Sequence, residues 1–124
     1  MAARAGSTAR RLRVLVVEDE ALVALGLEAM LADLGHAVVA TAAGLDKALT
    51  AARDKAFDLG ILDVNLRGRE TYPVADVLAG RGIPFIFVTG YEPSRLRLPY
   101  RDGSVLQKPY GENDLRHMIG GFFR

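Results

Sequence analysis

The chain has 124 residues, half of them hydrophobic, and a formal net charge of +1, a size that fits one domain with a real core and leaves little room for a second. It has no cysteine, which excludes disulfides, thiolate metal sites and cysteine nucleophiles and suits a reducing compartment. Its two histidines, His36 and His117, stand far apart, which argues against zinc, and no apolar stretch approaches the ~20 residues that a membrane helix needs.

The opening "MAARAGSTARR" is small, polar and basic and lacks the apolar segment of a secretory signal. Residues 1–11 therefore read as a disordered tail and residues 12–124 as the folded domain. Taking Arg4, Arg10 and Arg11 away from the formal +1 leaves −2 for residues 12–124, so a nucleic-acid surface is not expected. "LRVLVV" (12–17) is a buried-strand candidate, and Val23, Leu27, Met30, Leu31 and Leu34 follow at helical spacing until Gly35. "HAVVATA" (36–42) reads as a second strand, with Leu45, Ala48, Leu49 and Ala52 as the next helical stripe. "FDLGIL" (57–62) is a third strand. Val74, Val77 and Leu78 mark a helix whose first turn tolerates Pro73, and "GRG" (80–82) closes it as a turn. "IPFIFV" (83–88) is a fourth strand, "SVLQ" (104–107) a short fifth, and Leu115, Met118, Ile119 and Phe122 form the last amphipathic helix.

Strands alternating with helices imply a parallel sheet covered on both faces, and nearly all-apolar strands agree. The expected fold class is α/β, a flavodoxin-like doubly wound five-stranded sheet in the order 2-1-3-4-5, whose site lies at the carboxyl ends of the strands. The first strand ends in Glu18 and Asp19, the third in Asp63, the fourth in Thr89 and the fifth in Lys108. Four strands thus bring polar groups to one edge, where a lone aspartate would be read as a cap. Three carboxylates against one lysine call for a divalent cation, and an all-oxygen set favours magnesium, with manganese as the alternative. A carboxylate can accept a phosphoryl group, and Lys108 and the cation would hold its oxygens.

These residues resemble the receiver domains of two-component response regulators. The resemblance covers about residues 12–122 and rests on the acidic pair in "VVEDE", Asp63 in "LDVNL", Thr89 in "VTG" and Lys108 followed by Pro109. It implies that Asp63 is the phosphoacceptor and that Thr89 and Lys108 bind the phosphoryl group. It also implies a magnesium site of Asp19, Asp63, the backbone carbonyl of Asn65 and, through water, Glu18, with a cis bond before Pro109 and Gly90 keeping the site open. "IPFIFVTGY" is similar to the FATGUY group of receivers, many of them alphaproteobacterial and served by histidine kinases of the HWE type, although Val88 stands where that group usually has alanine. The segment "EPSRLRLPYRDGS" (92–104), with two prolines and no helical stripe, predicts a short or irregular fourth helix. Many receivers carry a switching aromatic three positions before the lysine; here that position is Val105. Tyr91 is the candidate substitute, against the alternative that it only packs.

Glu20 is expected in the first turn of the first helix, where the dipole favours it. Arg67 and Arg69 read as solvated loop charges rather than contacts to a kinase or donor, and Tyr72, Tyr100 and Tyr110 as packing residues. The expected function is a monomeric, cytoplasmic, stand-alone receiver taking its phosphoryl group from a histidine kinase or phosphotransfer protein. No output domain fits the remaining length, so its output is contact with a downstream protein or service as a phosphate sink. Such a domain is no enzyme beyond its own magnesium-dependent phosphorylation and dephosphorylation. The alternative is a phosphorylation-independent pseudo-receiver that acts as an interaction module. A magnesium-dependent phosphatase is disfavoured, because short loops provide no cap and no second acid follows Asp63.

Overall fold

A computed structural model describes residues 10–90, 96–97 and 104–123. Five parallel strands form the main sheet: β1 (Arg13–Val17), β2 (Ala37–Ala42), β3 (Leu59–Asp63), β6 (Phe85–Thr89) and β7 (Val105–Gln107). Between β3 and β6 lies an unpredicted antiparallel hairpin, β4 (Asn65–Leu66) and β5 (Arg69–Glu70). Four helices appear among the described residues: α1 (Ala21–Asp33), α2 (Leu45–Asp54), α3 (Tyr72–Gly80) and α4 (Glu112–Phe122). The sheet order is β2-β1-β3-β6-β7, the flavodoxin-like order expected once the hairpin strands are counted. Tyr91 lies outside the described residues, as does the segment 92–104, expected to hold a short or irregular helix, apart from Leu96, Arg97 and Ser104.

Alternation along the strands builds two cores. Leu15, Val17, Leu62 and Phe87 face one side and pack against α2 and α3 through Ala48, Ala52, Val74 and Leu78. Val14, Val16, Ile61 and Val88 face the other, against Leu27 and Leu31 of α1 and Leu115 and Ile119 of α4. Each such leucine or isoleucine, wholly removed from water, contributes about 2 kcal/mol of hydrophobic stabilisation. Gly60 lets α3 pack closely on β3, because a Cβ there would lie 2.7 Å from Leu78 Cδ1 and force that side chain to shift. Arg81, after α3, reaches across to donate to the Ala52 and Lys55 carbonyls at the end of α2, satisfying acceptors that a helix C-terminus leaves open.

His36 is structural. Its Nδ1 accepts the Leu12 N–H at 3.1 Å, and burial lowers its pKa, so a neutral ring pins the start of β1. On the same edge Arg13 grips Asp58, its backbone N–H donating to Oδ2 at 2.8 Å and its Nη2 to Oδ1 at 3.1 Å. Arg10, at the end of the expected tail, lies 3.8 Å from the same carboxylate. The Arg13 side-chain bonds hold the Asp58 carboxyl below its ordinary value of 3.8. A depressed carboxyl contributes stability that is present above the unfolded value and is lost as pH falls through the folded one. Asp58→Asn is therefore expected to lower the urea midpoint at pH 7. The difference from wild type should shrink below about pH 3.8, as titration at several pH values will read.

Candidate functional site

The carboxyl edge of the sheet gathers the expected groups. Glu18 and Asp19 leave β1 as the chain turns into α1, Asp63 ends β3, Thr89 ends β6, and Lys108 follows β7. Register aligns them: Asp63 pairs with Val88 and Thr89 with Gln107, and the Lys108 N–H donates to the Thr89 carbonyl at 2.8 Å. Thr89 is 2% exposed, and the Lys108–Pro109 peptide is cis, as the resemblance implied.

Lys108 bridges the acids. Its Nζ lies 3.2 Å from Asp63 Oδ2 and 3.6 Å from Glu18 Oε1. Burial pulls the lysine's pKa down, but the charges of Asp63 and Glu18 outweigh it and leave it raised above its ordinary value. Glu18 is buried, and its Oε2 accepts the Glu20 N–H at 3.0 Å. Burial, together with the neighbouring Asp63 charge and a hydrogen bond with Asp19, pushes its carboxyl up to about 7 against the pull of the Glu20 N–H and Lys108.

Asp63 Oδ1 accepts the Asn65 N–H at 3.1 Å, so the loop after β3 folds onto the Asp63 carboxylate. Asn65 then braces the hairpin, its Oδ1 accepting the Gly68 N–H at 2.7 Å. The hairpin turns through Arg67 at φ 51° and Gly68 at φ 87°, the left-handed pair of a tight two-residue hairpin. Arg67 thus sits in a turn with an exposed side chain, as a solvated loop charge would, and its backbone adds a contact. Its backbone N–H donates to Asp19 Oδ2 at 3.1 Å, and its exposed guanidinium stands 4.0 Å from the same oxygen. Arg69 is exposed on β5. Glu20 differs from expectation. It sits at the N-cap of α1, which starts at Ala21, and the first turn holds no acidic residue.

The carboxylates of Glu18, Asp19 and Glu20 each offer an oxygen within 4.8 Å of the others, a hard donor set that fits a small divalent cation. Asp63, placed in the metal set by the sequence, has its oxygens on Lys108 and Asn65 in this arrangement. Two contributors were missed. One is the hairpin. The other is Thr71, wholly buried, whose hydroxyl donates to the Asp63 carbonyl at 2.5 Å. A threonine directly before Tyr72–Pro73 signals a helix start but not this second bond.

The model of the response regulator receiver domain matches residues 14–120. A solution structure of SdrG from Sphingomonas melonis Fr1 superposes with a TM-score of 0.82 at 38% identity, covering 92% of this chain and 98% of that one. The BeF3-activated conformation of SdrG from Pseudomonas melonis Fr1 does so with a TM-score of 0.77 at 40% identity, covering 90% and 96%. The transcriptional regulatory protein PdtaR of Mycobacterium tuberculosis (strain CDC 1551 / Oshkosh) is 33% identical over 107 residues, 83% of this chain and 52% of PdtaR. The chain spans about half the length of the curated relatives it matches. No helix among the described residues is long and apolar enough to cross a membrane. A family match over most of its length, on the same sheet and with the acidic edge in place, means that this chain belongs to the response regulator receiver domains of two-component signalling.

Proposed function

We propose that this chain accepts a phosphoryl group on Asp63 from a sensor histidine kinase, of the HWE type that serves FATGUY receivers, or from a phosphotransfer protein. It acts as a cytoplasmic receiver and passes the signal by protein contact or drains it as a phosphate sink. One observation carries this reading: the Lys108 ammonium lies between the Asp63 carboxylate at 3.2 Å and that of Glu18 at 3.6 Å, with Thr89 ending the strand adjacent to that of Asp63. Asp63 Oδ2, on the lysine side, attacks the phosphorus of a phosphohistidine. The O–P bond forms as the N–P bond breaks, and the departing imidazole takes a proton from solvent and leaves neutral. Lys108 follows the transferred oxygens, and the Thr89 hydroxyl donates to them.

Asp19, Asp63 and the Asn65 carbonyl, with Glu18 through water, would hold magnesium or manganese. When bound, the ion neutralises the clustered carboxylates and the charge on the phosphoryl oxygens. That SdrG has a BeF3-activated conformation supports an acceptor role here. A protein donor is favoured by the surface beside the acids, where Leu22 and Leu25 of α1 are 83% and 59% exposed next to a groove of about 360 Å³ that reaches Glu18 and Asp19. Exposed apolar patches of this kind mark protein contacts.

Intact-mass analysis after incubation with acetyl phosphate and magnesium tests the reading. One labile phosphoryl adduct is expected. A folded protein that takes none, from acetyl phosphate or from an active cognate kinase, is an interaction module instead.

A further inference from the structure

Thr71 occupies the N-cap of α3, where a threonine hydroxyl ordinarily accepts a helix N–H and contributes about 1 kcal/mol. Here it makes no such bond. The hydroxyl donates instead to the Asp63 carbonyl at 2.5 Å, with the Val64 carbonyl at 3.3 Å. The helix forgoes a cap, and the phosphoacceptor's backbone gains a tether.

The next residue faces elsewhere. Tyr72 is buried, its ring edge-on to Phe87 with centroids 5.6 Å apart. Phe87 lies two residues before Thr89 on β6, hence on the same face of the sheet. The Tyr72 hydroxyl accepts the Arg97 N–H at 3.1 Å, and the Arg97 guanidinium lies 4.8 Å over the same ring. Arg97 Nη2 also donates to Glu70 Oε1 at 2.7 Å, and Leu96 beside it is 2% exposed in the α2–α3 core. Two consecutive residues thus hold the Asp63 backbone on one side and Arg97 on the other.

We propose that Thr71 and Tyr72 form the relay by which the state of Asp63 reaches Leu96 and Arg97, an inference that rests on Asp63 being the phosphoacceptor. When the Asp63 loop and the end of β6 adjust to a new anion, the Thr71 tether moves the first turn of α3. Phe87 moves against the Tyr72 ring, and the bond from Arg97 N–H to the Tyr72 oxygen lengthens or breaks. Val105, at the position where an aromatic switch would stand, carries neither ring nor hydroxyl. Both residues act by position, through the Asp63 backbone and through Arg97, and touch no reacting atom.

The test pairs two readouts on the full chain: adduct formation with acetyl phosphate and magnesium, and amide hydrogen exchange at Leu96 and Arg97 with and without BeF3− and magnesium. Wild type should form the adduct and change its exchange at Arg97 when BeF3− binds. Tyr72→Phe keeps the ring. It should form the adduct within about twofold of the wild-type rate, exchange Arg97 roughly five- to tenfold faster without BeF3−, as loss of one hydrogen bond implies, and no longer respond to BeF3−. Thr71→Val should slow adduct formation about tenfold and weaken the response, with Thr71→Ser restoring both. Should Tyr72→Phe respond to BeF3− as wild type does, the relay is overturned and the acceptor stands. A wild-type protein that takes no phosphoryl group overturns the acceptor reading and the relay with it.

Discussion

Asp63→Asn is expected to abolish phosphoryl incorporation while leaving the protein folded. A neutral amide is no nucleophile toward phosphorus at neutral pH, so the chemistry is lost entirely rather than slowed. The fold tolerates the change because asparagine fills the same volume, and its oxygen can still accept the Asn65 N–H that now reaches Oδ1 at 3.1 Å. The variant loses the 3.2 Å pair with Lys108 and gains relief from the repulsion of Glu18 and Asp19. For a partly exposed lysine these offset to within about 1 kcal/mol. Glu18, held up at about 7 by burial and then by the Asp63 charge, should fall back toward the ordinary carboxyl range. Intact mass and thermal unfolding, read together, check this. An adduct persisting on the variant would move the acceptor to another carboxylate. A collapsed fold would show that the Asp63–Lys108 pair stabilises the domain far more than such pairs do.

Much of this edge was legible because the strands announce themselves. An apolar run such as "LGIL" can only be a buried strand or a piece of helix, and at this length, in alternation with amphipathic stripes, it is a strand. Once five such strands are set in one order, the residue after each run has its address, which is why Glu18, Asp19, Asp63, Thr89 and Lys108 were found from spacing alone. What escaped was local geometry set by tertiary context. Tight hairpins announce themselves by Asn-Gly or Asp-Gly, whereas this one puts an arginine, Arg67, at φ 51°. The strain is tolerated where its N–H meets Asp19 and Asn65 holds Gly68. Thr71 reads from sequence as an ordinary cap, and nothing local says that its hydroxyl will turn to Asp63. Tyr72 was legible as a packing residue, but its bond to Arg97, 25 residues away, depends on tertiary placement that no local pattern encodes.

The hairpin, the turn into α1 and the position of Lys108 share one physical cause. A cluster of carboxylates at a sheet edge repels itself, and the chain answers by directing backbone donors and one cation at it: Asn65 N–H at Asp63, Arg67 N–H at Asp19, Glu20 N–H at Glu18, and Lys108 between two of them. Dipoles fixed by the fold need no reorganisation when charge is added, which is the condition under which they stabilise a transferred anion most.

Lys108 is the donor in that set whose removal should cost most. Lys108→Met keeps the length of the side chain and deletes the charge, leaving Glu18 and Asp63 without their shared cation. Losing one preorganised donor to a developing anion typically slows the chemical step by about 10²–10³-fold, and adduct formation from acetyl phosphate should slow by about that much. Stability should respond to pH in a defined direction. Burial already raises Glu18 to about 7 against the pull of Lys108, so removing the lysine raises it further. A carboxyl raised on folding contributes stability that is full below its ordinary value of 4.5 and is lost as pH rises through the folded value. The deficit of Lys108→Met against wild type should therefore be small near pH 5 and widen through pH 7 and above, as urea midpoints across that range will read. A deficit that stayed flat with pH would mean that Lys108 stabilises the edge by packing its methylenes rather than by its charge. Lys108→Arg separates charge from shape. It should recover the stability at high pH but little of the rate, because a planar fork cannot follow the phosphoryl oxygens as a rotating ammonium does.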